Sequence, residues 1–194
     1  MIKYLDWDTN FFGFKTGKIV NVVDSITLEN ILNKAKEDKY KLIYLFTHPN
    51  IDSINKIALK NNGLLVDTKI TFSLELKCFL PKYTFENIIT YNDSELDKTL
   101  LSLAFQSGEY SRFKTDKNFS SGIFEKLYTI WMEESVKRKI ADEVFVYTKA
   151  NKICGMITVS EDLGIAKIGL IGVDILSRGE QIGSKLIDFT KNYF

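Results

Sequence analysis

The chain is poor in the residues that build metal sites, disulfide scaffolds and flexible linkers. It has one histidine, His48, and two cysteines, Cys78 and Cys154, which lie 76 residues apart. A structural zinc site needs three or four such ligands, so we expect no metal site. Two prolines and 11 glycines in 194 residues argue against collagen-like and low-complexity architectures.

The sequence also lacks an excess of charge of one sign and a long apolar run. Its 26 basic and 25 acidic residues leave a formal charge of +1, so we expect no nucleic-acid partner. No apolar stretch approaches the ~18 residues of a membrane span, and the first residues do not resemble a signal peptide. We therefore expect a soluble, cytoplasmic protein with no membrane partner.

What the sequence does contain is enough apolar material for a folded core. Hydrophobic residues make up 45% of the chain, aromatic residues 13% and charged residues 26%, which excludes general disorder. Only three of the 26 basic residues are arginine: Arg112, Arg138 and Arg178. Each arginine either marks a site that needs a planar fork of donors or reflects composition bias.

Hydrophobic periodicity predicts an α/β fold in two parts. The first part alternates, with strands at 18–23, 42–46, 64–66 and 69–76, a first helix that begins at Thr27 and a second helix that carries Ile54, Ile57 and Ala58. Residues 77–86, which contain Pro81, are the predicted linker. We therefore expect a small N-terminal α/β domain over 1–80 and a second domain over 86–194.

The second part predicts a mixed, mainly antiparallel sheet flanked by helices. The pattern indicates a strand near 87–91, a helix opened by Asp93 or Ser94, an irregular stretch at 106–118 and a helix at 124–136. The period then changes from 3.6 to 2 residues, which predicts three strands joined by short turns. These strands are 144–149, 153–160 and 166–173, and a final helix is predicted at 180–194.

The strongest candidate site lies where the last of these strands leads into the final helix. The run is an apolar strand, a short loop and then Arg178-Gly179, which opens an amphipathic helix. The backbone N–H groups at a helix start attract anions, and small residues let a phosphate approach. An ordinary strand-to-helix turn explains the same glycines. This segment matches neither the P-loop pattern GxxxxGK[ST] nor the dinucleotide-binding pattern GxGxxG.

This segment resembles the acyl-CoA-binding motif of the GCN5-related N-acetyltransferases, [QR]-x-x-G-x-[GA]. Arg178, Ile182 and Gly183 match the motif, and Gln181 replaces its middle glycine. The resemblance implies acetyl-CoA as co-substrate, with its pyrophosphate on N–H groups across 179–184. The backbone of the preceding strand would pair with the pantetheine. The residues implied to bind acetyl-CoA are Ile171, Gly172, Val173, Arg178, Gly179, Gln181, Ile182, Gly183 and Ser184.

Two further stretches are similar to one subfamily, the dTDP-fucosamine acetyltransferases. Residues 5–14 match its Trp-acidic-x-x-Phe-Phe-Gly signature, although on physical grounds alone they predict an N-terminal strand and turn. Residues 104–113 and the Tyr-x-x-Trp at Tyr128 resemble its acceptor-side loop and helix. The resemblance implies that Arg112 grips the diphosphate of a nucleotide-linked amino sugar, a small-molecule amine acceptor. It adds Phe113 and Tyr128 to the acceptor side.

Direct acetyl transfer needs a group that takes the amine proton and donors that stabilise a tetrahedral oxyanion. Asp67 is the first candidate base and Glu109 the second; the alternative for either is a solvated surface carboxylate. The N–H of Val173 is the candidate donor to the carbonyl.

In the family, further strands that carry a proton-donating tyrosine follow the motif helix, whereas this sequence stops at Phe194, and Tyr193 is at the wrong position. We therefore keep an alternative, a non-catalytic module of the same fold that binds a ligand or a partner. The open sheet edge at 168–173 would then predict a homodimer.

Overall fold

The computed structural model describes residues 1–22, 24–76 and 80–194. Val23 of the first predicted strand, Cys78 and the start of the predicted linker lie outside the described residues. The chain divides into two compact units, Met1–Val66 and Asp67–Phe194. Residues 67–76, which the sequence placed with the N-terminal domain, belong to the second unit.

The first unit is a small three-stranded sheet with helices. Its sheet has the order β1-β2-β3, with β1 antiparallel and β3 parallel to the central β2. Ile19, Leu28 and Ile54 form its buried centre, because each helix turns one apolar face toward the sheet. Its elements are β1 (Ile2–Tyr4), α1 (Asp6–Phe12), β2 (Thr16–Ile19), α2 (Ser25–Glu37), β3 (Leu42–Leu45) and α3 (Asp52–Lys60).

The second unit is a four-stranded antiparallel sheet in the order β4-β5-β6-β7, so β7 is an edge strand. Helix α7 packs its Ile182 and Leu186 on a core that includes Phe145 and Ile157. The elements of this unit are β4 (Ile88–Thr90), α4 (Lys98–Ser107), α5 (Arg112–Thr115), α6 (Ile123–Val136), β5 (Glu143–Lys149), β6 (Lys152–Asp162), β7 (Ile165–Val173) and α7 (Ile182–Tyr193).

The mixed α/β fold predicted from the sequence is confirmed. The second unit carries the expected mainly antiparallel sheet with helices, and the first unit is a small α/β unit. Among the described residues, no helix combines the length and the apolar character that crossing a bilayer requires.

Several predicted elements are wrong in detail. Residues 64–66 and 69–76 are not strands, because no neighbouring strand pairs with them. Residues 5–14 contain helix α1 where a strand and turn were expected, and α1 ends at Gly13 in the left-handed conformation. The helix expected at Asp93 or Ser94 begins at Lys98, because the Asp97 carboxylate caps it by accepting the Thr99 N–H.

Strand β7 contains a bulge opposite Thr158 of β6. Ile157 pairs with Ile171 and Val159 pairs with Ile168, so two residues, Gly169 and Leu170, lie opposite one. The Thr158 hydroxyl accepts a hydrogen bond from the Leu170 N–H at 2.8 Å. The bulge separates the exposed first part of β7 from the last three residues, which lead into the candidate site.

Candidate functional site

The candidate acyl-CoA site begins at the open edge of β7. The Asp174 N–H donates to the Cys154 carbonyl of β6 at 2.9 Å. Backbone groups alternate in direction along an antiparallel strand, so the N–H and C=O of Ile171 and Val173 face away from β6. Because β7 is the last strand of the sheet, these groups lie at its free edge. This is the placement that pairing with an extended ligand requires.

The loop after β7 is a compact turn held by hydrogen bonds between its own residues. A 3₁₀ turn, Ile175–Ser177, follows the strand, and the Asp174 carboxylate accepts the Leu176 N–H at 2.9 Å. The Ser177 N–H returns to the Asp174 carbonyl at 2.8 Å. These bonds hold the loop in one shape before α7 begins.

Two residues of the loop adopt the left-handed backbone conformation. Gly179 has φ +86° and Gln181, the residue before α7, has φ +63°. Glycine takes this conformation at no steric cost, whereas another residue pays about 1–2 kcal/mol. The middle glycine of the resembled motif thus falls, in this chain, at a position where glycine fits best. Gln181 keeps the turn in spite of its side chain.

The start of α7 lines a cavity of about 300 Å³. The first N–H groups of a helix have no intrahelical acceptor, so this end of α7 is polarised to attract an anion. A Cβ added at Gly179 would have no heavy atom within 4 Å, and one at Gly183 would lie 3.7 Å from Val173 Cγ2. A ligand can therefore approach the backbone closely. The lining residues are Val173, Ser177, Arg178, Gly179, Gln181, Ile182, Gly183 and Ser184.

Arg178 turns back onto the strand that precedes it. Its Nε donates to the Val173 carbonyl at 3.3 Å, so this carbonyl of the free edge already has a partner. Gln106 at the end of α4 adds a second tie, since its Oε1 accepts the Ile175 N–H at 2.9 Å. No local pattern in the sequence marks Gln106, because it lies 69 residues from Ile175.

Lys149 and Glu180 set the charge of the loop. The Lys149 ammonium lies 2.7 Å from one carboxylate oxygen of Glu180 and 2.8 Å from the other. The hydrogen bond to Glu180, together with its charge, holds the pKa of Lys149 above its ordinary value. A carboxylate inside an anion-binding loop would repel phosphate, and Lys149 offsets that repulsion. Neither residue was singled out from the sequence.

On the acceptor side, Asp67 lies beside Arg112. The Arg112 Nη1 and Asp67 Oδ2 atoms are 3.5 Å apart, and the guanidinium also lies 4.4 Å from the centre of the Phe113 ring. The Asp67 side chain is half exposed. The candidate base and the candidate diphosphate ligand, 45 residues apart in sequence, are thus neighbours in the second unit.

The other acceptor-side residues lie mostly inside the fold. Phe113 is 8% exposed and Tyr128 is 7% exposed, and the two rings pack edge-on or tilted against Trp131. Gly108 is required here, because a Cβ at that position would collide with the Tyr128 ring. Glu109 stands in an exposed turn between α4 and α5. Phe113 and Tyr128 therefore pack beneath the loop that carries Arg112. Of these three side chains, that of Arg112 is partly exposed.

A second cavity of about 370 Å³ lies along the other side of α7. Ser184 lines both cavities. The buried Asp188 carboxylate accepts the Lys82 N–H at 3.1 Å and pairs with Lys191 at 2.6 Å. These contacts join the segment before β4 to α7.

Comparison with known proteins does not name the function. No family model and no curated protein matches the chain. Among solved structures, the crystal structure of PH1933 from Pyrococcus horikoshii OT3 aligns with 55% of this chain and 73% of that chain. The identity is 22% and the TM-score is 0.36. The function proposed below therefore depends on the residues of this chain and their geometry.

Proposed function

We propose that this chain is an acetyl-CoA-dependent N-acetyltransferase of the GCN5-related type, acting on the amine of a small acceptor, a nucleotide-linked amino sugar. The observation that carries the proposal is the open cavity at the start of α7, directly after the free edge of β7. A helix start that opens onto a cavity and is preceded by an unpaired strand edge suits a ligand with a pyrophosphate and an extended amide arm.

The residues of the loop divide the work of binding. N–H groups across 179–184 hold the pyrophosphate, and the outward N–H and C=O of Ile171 pair with the pantetheine. Because Arg178 occupies the Val173 carbonyl, the Val173 N–H remains the donor for the thioester carbonyl. No metal takes part in this scheme.

Acetyl transfer then needs a proton acceptor for the attacking amine, and the thiolate that leaves when the C–S bond breaks takes its proton from water. Asp67 has this role, with Glu109 as the alternative, and Arg112 binds the diphosphate of the acceptor. The ion pair between Asp67 and Arg112 is half exposed and loose at 3.5 Å. An incoming diphosphate replaces Asp67 at Arg112 and leaves the carboxylate available to the amine.

A second candidate function is ligand binding without catalysis. It is favoured by the hydroxyl of Tyr193, which donates to Glu143 at 2.8 Å. That hydrogen bond engages the hydroxyl proton of Tyr193 and, with the charge of Glu143, raises the pKa of Tyr193 above its ordinary value. A module of this kind would bind acetyl-CoA and release no thiol.

Two measurements test the proposal. Titration calorimetry with acetyl-CoA asks whether the cavity binds the co-substrate, with acetyl-pantetheine, which lacks the pyrophosphate, as the matched ligand. Release of free thiol is then followed over a panel of nucleotide-linked amino sugars. Binding with turnover supports the transferase, and binding without turnover over the whole panel supports the non-catalytic module. Equal affinity for the two thioesters would contradict the pyrophosphate site.

A further inference from the structure

Residues 68–76 carry a strand pattern that the fold leaves unused. Apolar side chains alternate with polar ones over the eight residues 69–76, and Ile70, Phe72 and Leu74 are 70%, 90% and 67% exposed. The segment lies within the described part of the second unit and forms no strand there. Strict alternation is typical of a strand with one buried face.

The exposed apolar side chains lie on one face of this pattern. A row of large apolar side chains in water is uncommon in a monomer and marks an interaction surface. The polar positions between them carry charges of both signs, Lys69 and Glu75. The segment therefore offers backbone groups for pairing, an apolar face and a charge pattern that selects a partner.

We propose that residues 68–76 form a dimerisation strand, which pairs antiparallel with the same residues of a second copy of this chain about a two-fold axis at Phe72. The proposal is independent of the proposed acetyl transfer. It adds an isologous contact, in which each copy contributes the same surface.

The register follows from the sequence of the segment. With the axis at Phe72, the two Phe72 rings lie opposite each other, Ile70 lies opposite Leu74, and Thr68 lies opposite Leu76. Apolar residues thus meet apolar residues at the centre, and aromatic and β-branched cross-strand pairs stabilise such ladders. Parity is kept, because directly opposed residues in an antiparallel pair share a face.

Charge complementarity distinguishes this register from its neighbours. With the axis at Phe72, Lys69 of each copy lies opposite Glu75 of the other, which gives two attractive pairs. With the axis at Thr71, Asp67 would lie opposite Glu75, and with the axis at Lys69 the two lysines would face each other. Like charges directly opposite are destabilising. The self-complementary pattern is the reason for choosing a second copy as the occupant.

The first test is the oligomeric state of the full chain, measured by sedimentation velocity from about 1 µM to about 1 mM. We expect a concentration-dependent dimer, and we expect Phe72→Lys to weaken it by at least about tenfold, because it sets two lysines together at the axis. The control Ser73→Lys lies on the polar face, where the charge stays in water, and should dimerise within about twofold of the parent. Circular dichroism confirms that each variant is folded.

A third variant tests whether the chains pair through the free edge of β7. Ile168→Lys on β7 should leave the dimer intact. A chain that stays monomeric over the whole range would overturn the proposal, and so would a dimer that Ile168→Lys dissociates while Phe72→Lys does not.

The second test fixes the register by disulfide trapping in a Cys78→Ser background. Phe72→Cys should cross-link to itself under mild oxidation, because the two residues 72 meet at the axis. A mixture of Ile70→Cys and Leu74→Cys chains should give the mixed cross-linked dimer. Cys154 is buried, and burial raises the pKa of its thiol, so it stays outside the reaction. A Phe72→Cys chain that remains monomeric after oxidation would contradict the axis at Phe72.

Discussion

The two halves of the candidate site are built from different material. The half at the start of α7 depends on the backbone of a helix start, beside a cavity whose lining includes Gly179, Gly183 and Ser184. The acceptor side depends on side chains, the Arg112–Asp67 pair above the Phe113 ring. A site formed by backbone groups tolerates substitutions, except those that fill the cavity or that cannot adopt the local backbone φ angle. A site formed by side chains loses its binding when one functional group is removed.

The largest effect is expected from filling the backbone half. Gly183→Leu should place its side chain in the cavity and lower the affinity for acetyl-CoA by about 10–100-fold, because hydrogen bonds to a charged group contribute about 1.5–3 kcal/mol each. Calorimetry measures the change. Gly183→Ala is the matched control, since a Cβ there makes only an ordinary contact with Val173. Unchanged binding by a folded Gly183→Leu chain would show that acetyl-CoA binds elsewhere.

The next largest effect tests the side-chain half. Arg112→Lys keeps the positive charge but loses the planar fork, so acceptor affinity should fall by about tenfold. Acetyl-CoA affinity should remain that of the parent. Calorimetry with each ligand in turn separates the two halves. A loss confined to acetyl-CoA would contradict the division of the site.

A smaller effect on acetyl-CoA affinity is expected from the ion pair between Lys149 and Glu180 at the loop before α7. Lys149→Ala leaves the Glu180 charge uncompensated and should weaken acetyl-CoA binding by about two- to fivefold, the range of an exposed ion pair. Glu180→Gln should restore binding in the double variant. The pKa of Lys149 is raised, so the lysine is still charged at its ordinary pKa and loses its charge only as the pH rises through the raised value. The Lys149→Ala effect should therefore be the same at pH of about 6 and about 8.

The smallest effect concerns conformation alone. Gln181→Gly removes the steric strain of a left-handed residue but increases the conformational entropy of the unfolded chain. Because the strain is the larger of the two effects, the free energy of unfolding should rise by about 0.5–1 kcal/mol. Denaturant titration measures it. Ser184→Gly, inside the first turn of α7, is the control and should lower stability by about the same amount. A destabilised Gln181→Gly chain would mean that the side chain of Gln181 contributes more than its backbone strain costs.

The elements that the sequence predicted well are those whose period is long and regular. Strands β5, β6 and β7 and helix α6 each begin one residue before their predicted starts, although the bulge shifts the phase of β7 partway along. The strand pattern at 69–76 is equally regular and still forms no strand, since a strand also needs a neighbour. Helix α1 was missed because its aromatic run has no clear helical period.

The site was predicted in its local part and missed in its long-range part. The loop at 179–184 was recognisable because its residues are consecutive. The pairs of Lys149 with Glu180, of Gln106 with Ile175 and of Asp67 with Arg112 join residues 31, 69 and 45 positions apart. No spacing rule along the chain relates such residues, so only the fold reveals that they meet.

The bulge opposite Thr158 divides the free edge of β7 into two stretches with different phase. A regular strand that paired with β7 in register at Ile168 would be one residue out of register at Ile171. Continuous pairing with another chain therefore stops at Gly169 and Leu170. The edge is interrupted at its middle, which protects it from templating aggregation. Its last three residues remain available to a ligand short enough to need only one phase.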